Sequence, residues 1–209
     1  MKALVTRRPG RPKSPEKAEA IRQAAVGLFM ADGIERTSMD AIANAAGVSK
    51  QTVYSHFKSK DDLFRACVAG KVKMYGLDAS QLPADGDLDA ALFHVGCHYL
   101  ELLCDPSVIC MFRLMAAEAS THPKVVRSFH ESGPIATAHT VSGLFARHFR
   151  GRDDGESLAR RATSEFLALV RGEYFLELVL GVRADIEGDE RERHVRHCIE
   201  QVRKLYDLV

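Results

Sequence analysis

Lys50, Gln51, Thr52, Tyr54, Ser55 and His56 crowd into the run GVSKQTVYSHFKSKDDLF, residues 47–64, around the apolar Val53 and Phe57. If the segment is helical, Val53 and Phe57 fall four apart on one inward face and the polar side chains turn outward. That outward set suits base edges. Glutamine pairs with adenine through two hydrogen bonds, lysine donates to guanine acceptors, and a threonine methyl meets the thymine methyl. Tyrosine, serine, histidine and lysine at the margins suit phosphate oxygens, which set register rather than sequence preference. Facing only solvent, such a helix would carry few charge pairs and a set of hydrogen-bonding groups with nothing to bind.

Local signals around the run show how it would be positioned. Ser14, Pro15 and Glu16 make a helix start of N-cap, first-position proline and first-turn acid. Ile21, Ala24, Ala25, Leu28 and Phe29 then recur at helical spacing up to Gly33. Thr37 is placed to cap a second helix with Asp40 as a short-armed capping-box partner, and Met39, Ile42, Ala43 and Ala46 supply its buried face. Gly47 allows a positive-φ turn, and Ser49 caps a third helix near residues 50–57. Ser59, followed by Lys60, Asp61 and Asp62, opens a fourth helix expected to reach about Ala79; Leu63 and Phe64 would help close the small core. Helix, glycine turn and short helix together are helix-turn-helix geometry.

Charge distribution agrees with a polyanionic partner. Through Tyr75, 14 Lys and Arg stand against 7 Asp and Glu; beyond it, 15 stand against 21. The net charge of +1 therefore conceals a basic first third and an acidic remainder. At 209 residues with 46% apolar content, the chain can bury one substantial core or a small and a larger one. No apolar run is long enough for a membrane span or a secretory signal, so the protein is expected in the cytoplasm. The five scattered cysteines suit reduced thiols.

The segment ADGIERTSMDAIANAAGVSKQTVYSHFKSKDDLF, residues 31–64, resembles the DNA-binding domain of the TetR family of transcriptional regulators. The resemblance rests on Gly33, Thr37-Ser38, Ile42-Ala43, Ala46-Gly47-Val48-Ser49, Thr52-Val53-Tyr54, His56-Phe57 and Lys60. It implies an all-α protein: an N-terminal three-helix helix-turn-helix domain (residues 14–59), a connecting helix (60–80), and a helical ligand-binding and dimerisation domain (81–209). It also implies repression relieved by a small molecule, and no enzyme activity or cofactor. By position, Lys50, Gln51 and Thr52 correspond to base-facing residues. Thr37, Tyr54, His56 and Lys60 correspond to backbone-contacting ones, with Ser38 and Ser49 beside them. Ahead lies a basic arm, residues 1–13, in which Arg7, Arg8, Arg11 and Lys13 surround a Gly10-Arg11-Pro12 core resembling an AT-hook, an extended minor-groove binder.

The remainder reads as helices. Residues 87–104 carry apolar stripes on two sides, and residues 107–119 are apolar nearly all round, which predicts a central helix. FRLMAAEASTHPKVVRSFHESGP, residues 112–134, resembles the ligand domain of the AefR-like TetR subgroup. A long helix is expected over residues 122–150, interrupted near Gly133-Pro134. Phe93, Cys97, Met111, Phe112, Met115 and Phe129 are candidate walls of an apolar ligand pocket. Arg113 is expected to pair with Glu101, Glu118 or Glu165, or with a ligand carboxylate.

His94, Cys97 and His98, like His194, His197 and Cys198, have spacings that bring metal donors near one another, yet neither group supplies an obvious fourth ligand, so no metal site is expected. Cys104 and Cys110 flank Pro106 and permit a redox pair or two inert buried thiols. Apolar stripes over residues 157–180 (Leu158, Ala162, Phe166, Leu169, Val170, Tyr174, Leu176, Val179) and on the last helix (Val195, Cys198, Ile199, Val202, Leu205, Tyr206) suit a homodimer through the two C-terminal helices. No nucleophile elbow, P-loop, dinucleotide fingerprint or HExxH motif occurs. Together with the resemblance, this makes the function expected a homodimeric repressor on a near-palindromic double-stranded DNA operator, released by a small apolar effector molecule. The alternatives are a metal- or redox-sensing regulator of the same fold, or an interaction protein with a vestigial DNA-binding domain.

Overall fold

In a computed structural model, which describes residues 14–82 and 87–208, the only regular structure is helical. The chain divides into two compact units after Leu63. Helix α1, Pro15–Asp32, starts where Ser14 accepts a hydrogen bond from the Lys17 amide, and it buries Ile21, Ala25 and Phe29. Helix α2, Met39–Ala45, is capped by Ser38, which accepts from the Ala41 amide. The cap expected at Thr37 thus lies one residue later. Thr37 is instead buried, and its hydroxyl donates to the carbonyls of Leu28 and Gly33 at the end of α1. Asp40, freed from a capping box, pairs with Lys50.

Helix α3, Lys50–His56, follows a turn that needs a left-handed residue. Gly47 takes φ +63°, and the Val48 amide reaches back to the Ala43 carbonyl in a Schellman-type closure. Ser49 caps α3 by accepting from the Thr52 amide at 3.1 Å. Helix α4, Lys60–Met74, ends earlier than the expected Ala79: Gly76 turns left-handed at φ +68° and the Leu77 amide closes on the Val72 carbonyl. A 3-10 turn, Ala79–Gln81, follows, capped by Asp78.

The second unit comprises α5 (Leu88–Cys104), α6 (Pro106–Glu118), α7 (Pro123–His130), α8 (Ala136–His148), α9 (Gly155–Arg171), α10 (Tyr174–Leu180) and α11 (Gly188–Tyr206). A π-helical turn, Glu131–Ile135, joins α7 to α8 and takes in Pro134. The expected interruption is there as a wider turn within a continuous helical path, a common way to accommodate a lost donor. The helix expected over residues 157–180 is broken where Gly172 adopts φ +44°.

Helix α5, rather than α6, is central. It packs against α6, α8, α9, α10 and α11, and its two apolar stripes both have partners. Helix α6 buries only Ile109, Met111 and Met115. Close approach of α5 to α11 depends on Gly96, where a Cβ would stand 2.5 Å from Val195 Cγ1 and 3.4 Å from Phe166 Cζ. At the corner between α5 and α6, Asp105 accepts from Tyr75 Oη and Lys71 Nζ, both at 2.7 Å, and from the Ser107 amide and hydroxyl. Burial pushes this carboxyl upward, but the hydrogen bonds from Lys71, Ser107 and Tyr75 outweigh it and hold the group well below the usual carboxylate range. Burial, with Asp105 beside it, raises the Tyr75 phenol to about 12.

Because the methyl group has no room, Gly96→Ala is expected to destabilise the protein by about 1–3 kcal/mol in urea denaturation. Adding Val195→Ala should recover part of that loss, giving a favourable coupling energy in the double-mutant cycle.

Candidate nucleic-acid interface

The exposed side of α3 carries Lys50, Gln51, Tyr54 and Ser55, with Thr52 and His56 half-buried at its margins and Val53 fully buried behind. One inward residue suffices to orient so short a helix, because Ser49 and Gly47 already fix where it begins. The first unit therefore presents the expected polar set together on one surface.

Not every member is free to bind. Ser38 and Ser49 spend their hydroxyls as helix caps, and Thr52 Oγ1 lies 2.8 Å from Ser49 Oγ. Lys50 Nζ stands 2.8 Å from Asp40 Oδ1, an exposed ion pair between the start of α3 and the first turn of α2. The hydrogen bond to Asp40 raises the Lys50 pKa. Ser55 donates to the Thr52 carbonyl and stays within its own helix. Gln51 and Tyr54 project from the exposed side of α3, and the His56 ring leans on Phe57. Lys58, beyond the end of α3, adds an exposed cation that the base-reading pattern does not select.

Thr37 and Lys60, expected at the phosphates, are engaged with the protein itself. Thr37 is only 4% exposed with its hydroxyl committed inward, so its side chain has nothing to offer a phosphate. Lys60 Nζ donates to the carbonyls of Glu35 and Thr37 at 2.9 and 3.1 Å and stands 3.9 Å from Glu35 Oε2. It clamps the loop between α1 and α2, satisfying carbonyls that no helix pairs. Arg7, Arg8, Arg11 and Lys13 lie outside the described residues.

The proposed ligand residues separate into groups. Phe93 lies under the guanidinium of Arg196 on α11, whose Cζ is 4.2 Å from the ring centroid, in a groove that also holds Asp87, Asp89, Glu200 and Arg203. Cys97 also feels charges of α11, and burial raises its thiol to about 11. Phe112 instead meets Phe129 and Phe175 edge to face, at 5.1 and 4.9 Å between centroids, with the Arg171 guanidinium over Phe175. Met111 and Met115 are buried on α6.

Arg113 forms none of the expected ion pairs. It donates to the Val179 and Leu178 carbonyls at 2.7 and 3.1 Å, at the C-terminus of α10 and the negative end of its dipole. Glu101 is taken by Arg191 at 2.6 Å.

Among the described residues no three His, Cys, Asp or Glu side chains converge as a metal cluster. His94 and His98 do meet, edge to face, without Cys97. His194 turns Nε2 to the Leu169 and Val170 carbonyls and lies 3.5 Å from Cys198 Sγ. All five cysteines are free thiols. Burial, with a hydrogen bond to Asp185, pushes the Cys104 thiol up to about 11, which suits an inert group rather than a redox nucleophile.

No signal local in sequence marks the Lys50–Asp40, Lys60–loop or Arg113–α10 contacts, since each joins segments that only the fold brings together. No helix among the described residues is long and apolar enough to cross a membrane.

Residues 21–67 match the bacterial regulatory proteins of the tetR family, and residues 90–207 match the C-terminal domain of AefR-like transcriptional repressors. Among curated relatives, the transcriptional regulator AcrR of Shigella flexneri is 43% identical over 56 residues, which is 25% of this chain and 26% of AcrR. SrpR of Pseudomonas putida is 36% identical over 70 residues, 32% of this chain and 33% of SrpR. The chain thus spans about a quarter to a third of those relatives.

Solved structures align along nearly the whole length. The flavonoid-responsive regulator FrrA shares 30% identity at a TM-score of 0.68, covering 92% of this chain and 97% of FrrA. A TetR-family regulator of Mesorhizobium loti shares 25% identity at 0.70, covering 93% and 98%.

If Lys60 is a loop clamp, Lys60→Met should lower the stability of the DNA-free protein by about 1–2 kcal/mol. Thermal melting without DNA measures this; a lysine serving only phosphate would leave that melt unchanged.

Proposed function

We propose, for a chain that belongs to the tetR family of bacterial regulatory proteins and carries an AefR-like C-terminal domain, a homodimeric repressor released from a near-palindromic operator by a small apolar molecule. Membership of the family makes the protein a DNA-binding transcriptional regulator and not an enzyme. The observation that carries the finer reading is the shared exposed surface of α3, with Gln51 and Tyr54 projecting beside Lys50. Gln51, Lys50 and Thr52 read bases in this proposal; Tyr54, His56 and the neighbouring Lys58 hold the phosphate backbone. Thr37, Ser38, Ser49 and Lys60 serve by holding the surface in shape. The basic arm, with Arg7, Arg8, Arg11 and Lys13, adds affinity that falls with salt.

Dimerisation would set two α3 helices about one DNA turn (~34–36 Å), or a related spacing, apart. Most of the apolar stripes expected at the interface belong to the chain's own core, including Phe166, Val170, Val195 and Val202. Leu176, Leu180, Val182 and Leu205 remain exposed on or beside α10 and α11 and are the side chains offered to a second copy. For the effector, the Phe112, Phe129 and Phe175 cluster favours a planar aromatic guest, in keeping with the flavonoid response named for FrrA. A guest that prefers another separation of the two α3 helices would lower DNA affinity by population shift.

Fluorescence anisotropy with the intergenic DNA beside the protein's own gene, against scrambled DNA at two salt concentrations, tests the operator reading. A preference of about a thousandfold is expected. Gln51→Ala should cost about 1–3 kcal/mol on the operator and relax preference at one position. An equal loss on every sequence would overturn the base-reading role. Planar aromatic compounds added to the same assay should release the DNA.

Sedimentation should show a dimer for the native protein and a monomer for a Leu180→Glu, Leu205→Glu double variant with unchanged helicity. A native monomer at micromolar concentration would overturn the dimer.

A further inference from the structure

From the second unit we infer a site for a late first-row divalent transition cation, held between His94 and His98 of α5. The two residues are one helical turn apart, and their facing nitrogens, His94 Nε2 and His98 Nδ1, are 3.1 Å apart. Two imidazole nitrogens bound to one cation at about 2.0–2.1 Å, with an angle between about 90° and 109°, stand roughly 2.8–3.4 Å from each other. The pair therefore has the bite of a chelate before any cation arrives. Small rotations of the two rings would aim both lone pairs at a common point.

Three surroundings favour occupation. First, Gly76, the left-handed residue that closes α4, lies against both nitrogens: a Cβ there would be 3.4 Å from His94 Nε2 and 3.6 Å from His98 Nδ1. Its missing side chain leaves space where a cation and its waters would sit. Second, Glu101 Oε2 stands 4.0 Å from the opposite nitrogen of His98, Nε2. To ligate through Nδ1, a neutral His98 must carry its proton on Nε2, the nitrogen nearer this carboxylate, whose other oxygen is held by Arg191. Third, both rings are only half-buried, so a hydrated ion can reach them from solvent. Without a cation, the same contact is a hydrogen bond between the two rings, its donor set by their tautomers.

The donor set fixes the class of ion. Two imidazoles suit Zn2+, Ni2+ or Cu2+ and are poor ligands for Mg2+ or Ca2+, which select oxygen. Water would complete the coordination shell. The site is independent of the surface on α3 and of the aromatic cluster around Phe112.

Calorimetric titration of the full chain with Zn2+, and with Mg2+ as control, tests the inference. One Zn2+ per chain is expected, with no heat from Mg2+. His94→Gln and His98→Gln should each weaken Zn2+ binding at least tenfold, and Glu101→Gln by about ten- to a hundredfold. Circular dichroism confirms that the variants stay helical. Should a variant unfold, 1H–15N spectra of the native protein's histidine rings supply the second reading: the His94 and His98 signals should move on adding Zn2+ and the other rings should not. An isotherm unchanged in the His94→Gln, His98→Gln double variant would overturn the site. So would Zn2+ binding that instead disappears in Cys198→Ser, or ring shifts confined to other histidines.

Discussion

A seven-residue helix cannot hold its own shape in water, because so few hydrogen bonds do not offset the cost of nucleation. Helices α2 and α3 are both of that length, so everything on the exposed surface of α3 depends on contacts outside it. Val53 supplies the buried anchor, Ser49 satisfies an amide at the start, and Gly47 supplies the one backbone conformation that lets α3 leave α2 at the required angle. Thr37 and Lys60 extend the same logic to the preceding loop, whose carbonyls have no partners in a helix. The polar display and its support are thus different residues, interleaved in one short stretch of chain.

The second unit solves the opposite problem. Helix α5 is apolar on two sides and needs neighbours all around, and Gly96 lets α11 come within side-chain thickness of its backbone. Polar groups at its corners tie neighbouring segments to it. Asp105 gathers Lys71, Tyr75 and Ser107, while Arg191 spans to Glu101 and the Ile186 carbonyl. Arg113 closes the end of α10 in the same manner. Charged side chains in this unit act as fasteners for helix ends, which explains why a solitary arginine on an apolar helix needs no ligand carboxylate.

Much of this was legible in the sequence, and the reasons are local. Ser14 before Pro15, Gly47 before Ser49, and the apolar spacing of Ile21, Ala25 and Phe29 act within a turn or two of chain, and the structure uses each as expected. Thr37 and Ser38 show the limit, since both are competent caps and only packing against α1 decides which one turns inward. The breaks at Gly76 and Gly172 were hidden because an isolated glycine is tolerated inside a helix as well as at its end. Lys60 reaches a carbonyl 23 residues away and Arg113 one 66 residues away, distances over which a sequence carries no signal of contact. The ligand residues were harder still, because Phe93 and Phe112 are equally apolar and only the neighbours they acquire, Arg196 for one and two phenylalanines for the other, distinguish them.

The ion pair between Lys50 and Asp40 gives the surface of α3 an internal competitor. With both groups in solvent, such a pair does little for folding. Its effect is on exchange: any acceptor that recruits Lys50 Nζ must first displace the Asp40 carboxylate. A lysine already occupied is less free to pair with the next acceptor it meets.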